Sequence, residues 1–139
     1  MSSFMRISEA ASLALHTVGM LAEEPDDVIA TREIASRLAV SENHLAKVHQ
    51  RLSRAGIVTA VRGPAGGFRL ARPAADIKLI EVVEAIDGSC RPSQCLLGRP
   101  LCRRSSCMLG GLSDAINRHV IEFLSKTSVA QLGSSLGLA

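Results

Sequence analysis

The chain has 139 residues, of which 47% are apolar and 21% are charged, enough for one domain with a buried core and too few for two. The net charge is +3, and aromatic residues make up only 2%, with no Trp or Tyr, which argues against a surface that stacks single-stranded bases on rings. No apolar run reaches the roughly eighteen residues of a membrane span, and residues 1–7 lack the layout of a secretory signal. We therefore expect a cytoplasmic protein that does not bind membranes.

The first part of the chain predicts two helices. Residues 7–22 are apolar on nearly every side, as in a helix covered by other elements, and an acidic loop at 23–27 ends it. A short second helix begins at Thr31 and has Ile34 and Leu38 on its core face.

A third helix and a hairpin follow. Ser41 is a good N-cap for a helix that runs to about Ala55 and ends at Gly56, and its buried stripe is formed by Leu45, Val48 and Leu52. Residues 57–61 and 68–70 then predict two strands joined by a glycine-rich loop. Short helix, tight turn, capped helix and hairpin, in this order, outline a winged helix-turn-helix.

The second half predicts a helix from Asp76 to Gly88, a loop that contains all the cysteines, and a long helix over 108–124. The apolar stripe of this last helix suits a partner helix and consists of Leu109, Leu112, Ile116, Val120 and Phe123. The tail from Ser125 is expected to be loosely held. We thus expect a mainly α protein with a small β-hairpin: a winged helix-turn-helix domain (1–88), a cysteine-rich loop (89–107), and a dimerisation helix with its tail (108–139).

Positive charge is concentrated between Asn43 and Ala75, where six Lys or Arg and two His occur without any acidic residue. Such a patch binds phosphates with a salt-sensitive affinity that does not depend on base sequence. An ordinary solvated face is the alternative, but the order of helices and hairpin favours double-stranded DNA.

The residues expected to contact DNA lie on the third helix and on the hairpin. Asn43 and Gln50 carry amides that can read adenine edges, and basic side chains can bind guanine or phosphate. The full predicted set is Ser41, Asn43, His44, Lys47, Gln50, Arg51, Arg54, Arg62, Gly63, Pro64, Gly66 and Gly67.

The cysteines Cys90, Cys95, Cys102 and Cys107 lie within one eighteen-residue stretch with the spacing C-x4-C-x6-C-x4-C. The C-x2-C pair usual for structural zinc is missing, whereas an iron-sulfur cluster accepts wider spacings. Arginines in the same stretch predict lowered thiol pKa values. A disulfide switch and four structural cysteines remain as alternatives. No phosphate-binding loop, carboxylate pair or nucleophile-base arrangement indicates an enzyme.

Nearly the whole chain resembles the Rrf-two family of winged-helix regulators, which includes iron-sulfur and nitric-oxide sensors. The resemblance is carried by the hairpin motif Val-Arg-Gly-Pro-Ala-Gly-Gly-Phe (61–68) and by residues 5–8, 34–38, 40–41, 52–58 and 79–83. It implies that three cysteines before the dimerisation helix hold a [2Fe-2S] or [4Fe-4S] cluster, and Cys90 and Cys102 match the family's outer pair, with Cys95 between them.

The chain departs from the family pattern in two ways. Cys95 is displaced by one position, and Cys107 is an additional cysteine. For the fourth ligand, some members use an acidic residue where this chain has Ser12, a poor ligand, and others use a histidine that His16 resembles. Cys107 and His16 therefore compete for this position. We favour Cys107, and a helix histidine held by a hydrogen bond is the simpler interpretation of His16.

These observations predict a homodimeric regulator, expected to be a repressor, that binds a palindromic operator under control of an iron-sulfur cluster. Loss, oxidation or nitrosylation of the cluster would relax the loop and change the spacing of the two recognition helices. This spacing must match half-sites about 34 to 36 Å apart, or a multiple of this distance. The alternatives are a cluster-free thiol-disulfide regulator and a zinc-stabilised protein-interaction module.

Overall fold

The computed structural model describes residues 7–91, 95–97, 101–103 and 106–137. In this part of the chain the expected mainly α fold with a small β-hairpin is confirmed. None of the described helices is long and apolar enough to cross a membrane. In chain order the elements are α1 (Glu9–Glu23), α2 (Thr31–Leu38), α3 (Glu42–Arg54), β1 (Val58–Val61), β2 (Gly67–Leu70), a 3-10 turn (Ala74–Asp76), α4 (Leu79–Asp87), α5 (Met108–Lys126) and α6 (Val129–Leu136).

The core lies around α1, which packs against α3, α4 and α6. The predicted stripe of α3 is buried, and the core face of α2 is confirmed at Ile34, while Leu38 is half-buried against the same core. Residues that repeat every three or four positions therefore fix the orientation of α3 and leave its opposite face to solvent.

The hairpin pairs β1 with β2 in antiparallel register, from Val58 opposite Leu70 to Val61 opposite Gly67. A backbone bridge joins it to the segment before α2: the Ile29 N–H donates to the Phe68 carbonyl at 3.0 Å, and the Phe68 N–H donates to the Ile29 carbonyl at 2.9 Å. The wing, as we call the β1–β2 hairpin with its loop (residues 58–70), is therefore joined to the helical core by main-chain hydrogen bonds.

Two predicted helix starts are wrong by two or three residues. The first helix begins at Glu9, because the Ser8 hydroxyl accepts a hydrogen bond from the Ala11 N–H at 3.0 Å and acts as its N-cap. The fourth begins at Leu79, because residues 74–76 form a separate 3-10 turn; the Glu81 carboxylate accepts from the Lys78 N–H at 2.9 Å at its start.

The prediction of a loosely held tail is wrong, because residues 129–136 form α6, which packs along α1. Ser128 and Gln131 form a capping box at the start of this helix. Gly133 lies so close to α1 that a Cβ there would meet the Gly19 carbonyl oxygen at 3.1 Å and the Ala22 methyl at 2.9 Å. Close packing between small residues thus outweighs the low helix propensity of glycine and serine.

Candidate nucleic-acid interface and cysteine segment

The α3 helix presents a polar, basic face to solvent. Its start is fixed by Ser41, whose hydroxyl accepts from the His44 N–H at 3.4 Å. The side chains predicted to contact DNA from this helix all belong to exposed residues: Asn43, His44, Lys47, Gln50, Arg51 and Arg54. Donors for bases and cations for phosphates therefore share one accessible helix face.

The wing extends this surface with Arg62, Gly63 and Pro64, all exposed. Gly63 has φ +113, a conformation that favours glycine. Gly66 and Gly67 are half-buried, and a Cβ would collide with the carbonyl oxygen of Val61 at the first and of Ile29 at the second. Close packing within the protein therefore explains Gly66 and Gly67, whereas Arg62 and Gly63 face the solvent.

Two of the six cations in the basic stretch have partners within the protein. Arg51 Nη1 donates to the carbonyl oxygen of Ile86 at 3.1 Å, near the end of α4. Arg72 Nη2 pairs with Glu81 Oε1 at 2.8 Å, and the Lys78 N–H, followed by this arginine, lowers the pKa of that carboxyl group. Lys47, Arg54, Arg62 and Arg69 make no ion pair with another described residue.

His49, one of the two histidines in the basic stretch, does not belong to the basic surface. It is fully buried, and burial lowers the pKa of its imidazole to about 4, so that the ring is neutral at physiological pH. A signal for this was present in the sequence: His49 follows Leu45 by four residues, on the apolar side of α3. His49 therefore adds no positive charge to the basic surface.

The cysteine segment begins at the end of α4 and ends at the start of α5. Cys90 is half-buried against the core, in the wall of a cleft of about 350 Å³ between these helices that Asn117 and Val120 also line. Cys95 is half-buried, and Cys102 is exposed. The segment's predicted cation Arg91 is exposed, whereas Arg99 and Arg104 lie outside the described residues.

The expected lowering of thiol pKa is wrong for Cys90. Burial is the main cause that raises its pKa, and the negative charges of Glu84 and Asp87 raise it further. Burial and the acidic end of α4 thus both favour the protonated thiol, and binding of a metal here must overcome that preference.

The two candidates for a fourth ligand lie in different surroundings. Cys107 is exposed and is the N-cap of α5, where its Sγ accepts from the Gly110 N–H at 3.4 Å. His16 is half-buried on α1, and its Nδ1 lies 2.6 Å from the Ser12 carbonyl oxygen. Because a carbonyl only accepts, Nδ1 is the donor in this hydrogen bond, and Nε2 is the ring nitrogen left for a metal ion.

The donor chemistry fits an iron-sulfur cluster, since four cysteines lie on one segment and cysteine sulfurs are the usual ligands of such a cluster. Their positions do not form a preassembled site: among the described residues, no three His, Cys, Asp or Glu side chains are grouped so as to hold a metal ion. A cluster would therefore have to draw the segment together as it binds.

The α5 helix leaves much of its apolar stripe exposed. Leu109, Leu112 and Phe123 are each more than half exposed. Ile116 is half-buried, and Val120 packs against the core of its own chain. The stripe predicted for a partner helix is thus partly used within the protein, and its remainder forms an uncovered apolar surface.

Comparison with known proteins places this arrangement in context. Residues 7–135 match a family model described as "Rrf2: Iron-dependent Transcriptional regulator". The chain is 29% identical over 125 residues to the HTH-type transcriptional regulator IscR of Cereibacter sphaeroides, a match that covers 88% of this chain and 81% of that protein.

Solved structures share the fold. CymR (YrzC), the global cysteine regulator of B. subtilis, superposes with a TM-score of 0.79 at 23% identity and covers 94% of this chain and 97% of its own. IscR of T. potens gives a TM-score of 0.71 at 21% identity, over 92% and 85% of the two chains. The relatives are transcriptional regulators and not enzymes.

Proposed function

Because the chain belongs to the Rrf2 family of transcriptional regulators, we propose that it is a homodimeric repressor whose affinity for a palindromic operator is controlled by an iron-sulfur cluster. The cysteine segment is the proposed sensor, α3 and the wing are the proposed DNA-reading surface, and α5 is the proposed dimer contact. Membership of the family supports transcriptional regulation in general, and the proposal assigns the individual roles to particular residues of this chain.

The observation that carries the DNA-reading assignment is the exposed face of α3 beside the exposed Arg62. An exposed helix face that carries the amides of Asn43 and Gln50 together with cations suits the major groove. An arginine on an adjacent wing suits a phosphate or a narrow minor groove. Arg51 is the exception in the predicted set, because its guanidinium already donates to a protein carbonyl.

The dimer assignment is supported by the apolar surface of α5. Leucines and a phenylalanine left in water on a 19-residue helix form the kind of patch that marks a protein contact. A second copy of the same helix is the partner expected for a palindromic site, because a two-fold axis relates both the half-sites and the subunits.

Cys90, Cys95 and Cys102 would hold the cluster, with Cys107 favoured over His16 for the fourth position. Bound there, the cluster would supply a crosslink of the segment that oxidation, nitric oxide or loss of iron can break. The side chains of Cys102 and Cys107 are accessible from solvent, whereas Cys90 anchors the segment against the core.

The end of α4 provides a physical connection between the segment and the DNA-reading helix. Arg51 of α3 donates to Ile86, and the hydroxyl and N–H of Ser8 donate to Asp87. Cys90 follows three residues after this second acceptor. A change in the segment can therefore reach α3 through α4 within one subunit, in addition to changing the spacing between subunits.

A cluster-free thiol regulator is the second candidate. The absence of a grouped donor set among the described residues and the accessible thiol of Cys107 at a helix N-terminus favour it. The raised pKa of Cys90 opposes it, because a protonated thiol is a poor nucleophile for disulfide exchange. The third alternative, a zinc-stabilised protein-interaction module, is set aside because the family consists of transcriptional regulators.

The DNA-reading surface is tested with single variants on a palindromic duplex and on a scrambled duplex, each at two salt concentrations. Arg62→Ala is expected to weaken binding to both duplexes and to reduce the slope of log affinity against log salt by about 1. Asn43→Ala and Gln50→Ala are expected chiefly to relax the preference for the palindrome. Wild-type behaviour of all three variants would show that the surface is misplaced.

A further inference from the structure

The imidazole of His49 connects four elements of the fold. On α3 it points into the core, where its Nε2 lies 3.2 Å from the hydroxyl of Thr17 on α1. Its Nδ1 lies 3.0 Å from the hydroxyl of Thr31, the first residue of α2. Its ring meets the ring of Phe68 on β2 edge to face, with centroids 4.8 Å apart.

These contacts converge on the point where the wing is fastened. Phe68 exchanges two backbone hydrogen bonds with Ile29, which lies two residues before Thr31. His49 therefore touches the chain on both sides of this bridge. Any shift of its ring moves α3 relative to the start of α2 and to the wing strand.

A neutral imidazole is chemically suited to this position. It carries one donor and one acceptor nitrogen, and each threonine hydroxyl can take either role. Both nitrogens of this fully buried ring therefore have partners. An apolar side chain would fill the space without angular preference, whereas a satisfied polar network admits one arrangement of the groups that it joins.

We propose that His49 is a positioning residue for DNA recognition: it holds the recognition helix and the wing in one fixed geometry, so that both fit the same duplex in register. His49 itself is buried and touches no DNA. The inference rests on the proposed DNA-reading role of α3 and the wing, and it adds the reason why the two act as one surface.

The decisive variant replaces the whole polar network by apolar groups of similar shape: Thr17→Val, His49→Phe and Thr31→Val together. Removing all partners at once leaves no orphaned buried hydroxyl, so the triple variant is expected to fold. The probes are a palindromic duplex that the wild-type protein selects from a randomised pool and a scrambled duplex of the same composition. The measured quantity is the dissociation constant for the scrambled duplex divided by that for the palindromic duplex.

The triple variant is expected to bind the scrambled duplex within about twofold of wild type, because its phosphate-binding side chains are unchanged. The ratio is expected to fall about tenfold or more, the factor that follows from misreading one base pair. Val129→Ala on α6 is the control: it removes buried volume far along the chain from this network, and it should lower stability without changing the ratio. A purely structural role of His49 would alter the fraction of active protein and leave the ratio unchanged.

A wild-type ratio in the folded triple variant would overturn the inference. Arg62→Ala and Asn43→Ala in the same assay separate this result from a failure of the proposed function: if neither affects binding, the DNA-reading surface itself is wrong. Should the triple variant not fold, Thr31→Val decides the question, because it deletes one hydroxyl at a half-buried position. A reduced ratio supports the inference, and an unchanged ratio contradicts it.

Discussion

Acid should destabilise the folded protein through His49, well before most carboxylates titrate. The pKa of this imidazole falls from 6.5 to about 4 on folding because burial disfavours the charged ring. The folded state then binds fewer protons than the unfolded state between these two values. Stability is therefore complete above about pH 6.5 and is lost as the pH falls towards 4.

The expected magnitude follows from the two pKa values. The full difference between 6.5 and about 4 corresponds to about 3 kcal/mol, and the part lost between about pH 7 and about pH 5 is about 2 kcal/mol. The assay is urea unfolding followed by circular dichroism at several pH values. The triple variant that removes the His49 network, measured in parallel, subtracts the contribution of all other titrating groups.

The wild-type free energy of unfolding should thus fall by about 2 kcal/mol more than that of the triple variant between about pH 7 and about pH 5. Glu81 and Glu122 have lowered pKa values, so their contributions are lost only at more acidic pH. Parallel stability curves for the two proteins over this interval would refute the assignment of a buried neutral imidazole at this position.

Further predictions concern the dimer contact and the cluster ligands. Leu112→Glu, at an exposed position of α5, should give monomers in sedimentation analysis, because a charge there opposes apolar contact with a second copy. A wild-type protein that sediments as a monomer at micromolar concentration would contradict the dimer assignment. Single replacement of each candidate ligand by Ala, followed by reconstitution without oxygen, should abolish iron and sulfide binding for Cys90, Cys95, Cys102 and Cys107 and preserve it for His16. Loss of iron and sulfide with His16→Ala, together with their retention with Cys107→Ala, would instead identify His16 as the fourth ligand.

The winged helix was predictable because its signals are local. The stripe on α3, the hydroxyl of Ser41 and the glycine at 56 each specify a helix boundary or face from a few neighbouring residues. The hairpin was likewise predictable from the sequence of its turn, where Gly63 takes a positive φ.

The remaining features depend on contacts that are distant in sequence. The α6 helix was missed because its stability comes from the approach of Gly133 to Gly19, which lies 114 residues earlier. The role of His49 requires Thr17 and Phe68, neither of which its own helix reveals. At Cys90 partial burial and the carboxylates at the end of α4 raise the pKa of the thiol, whereas the arginines of the local sequence had predicted a lowered pKa.

The central claim, control of DNA affinity by a cluster, is tested most directly by one titration. Protein purified without oxygen, with its iron and sulfide content measured, is titrated with the selected palindromic duplex before and after removal of iron by a chelator. Because protein side chains do not absorb visible light, the visible absorption of a cluster is readily followed in the same sample. The account predicts bound iron and sulfide and at least about a fivefold change in affinity on removal, the lower end of ordinary coupling between two sites. Identical affinities before and after, or a colourless protein without iron that binds the palindrome in response to thiol oxidation alone, would contradict it.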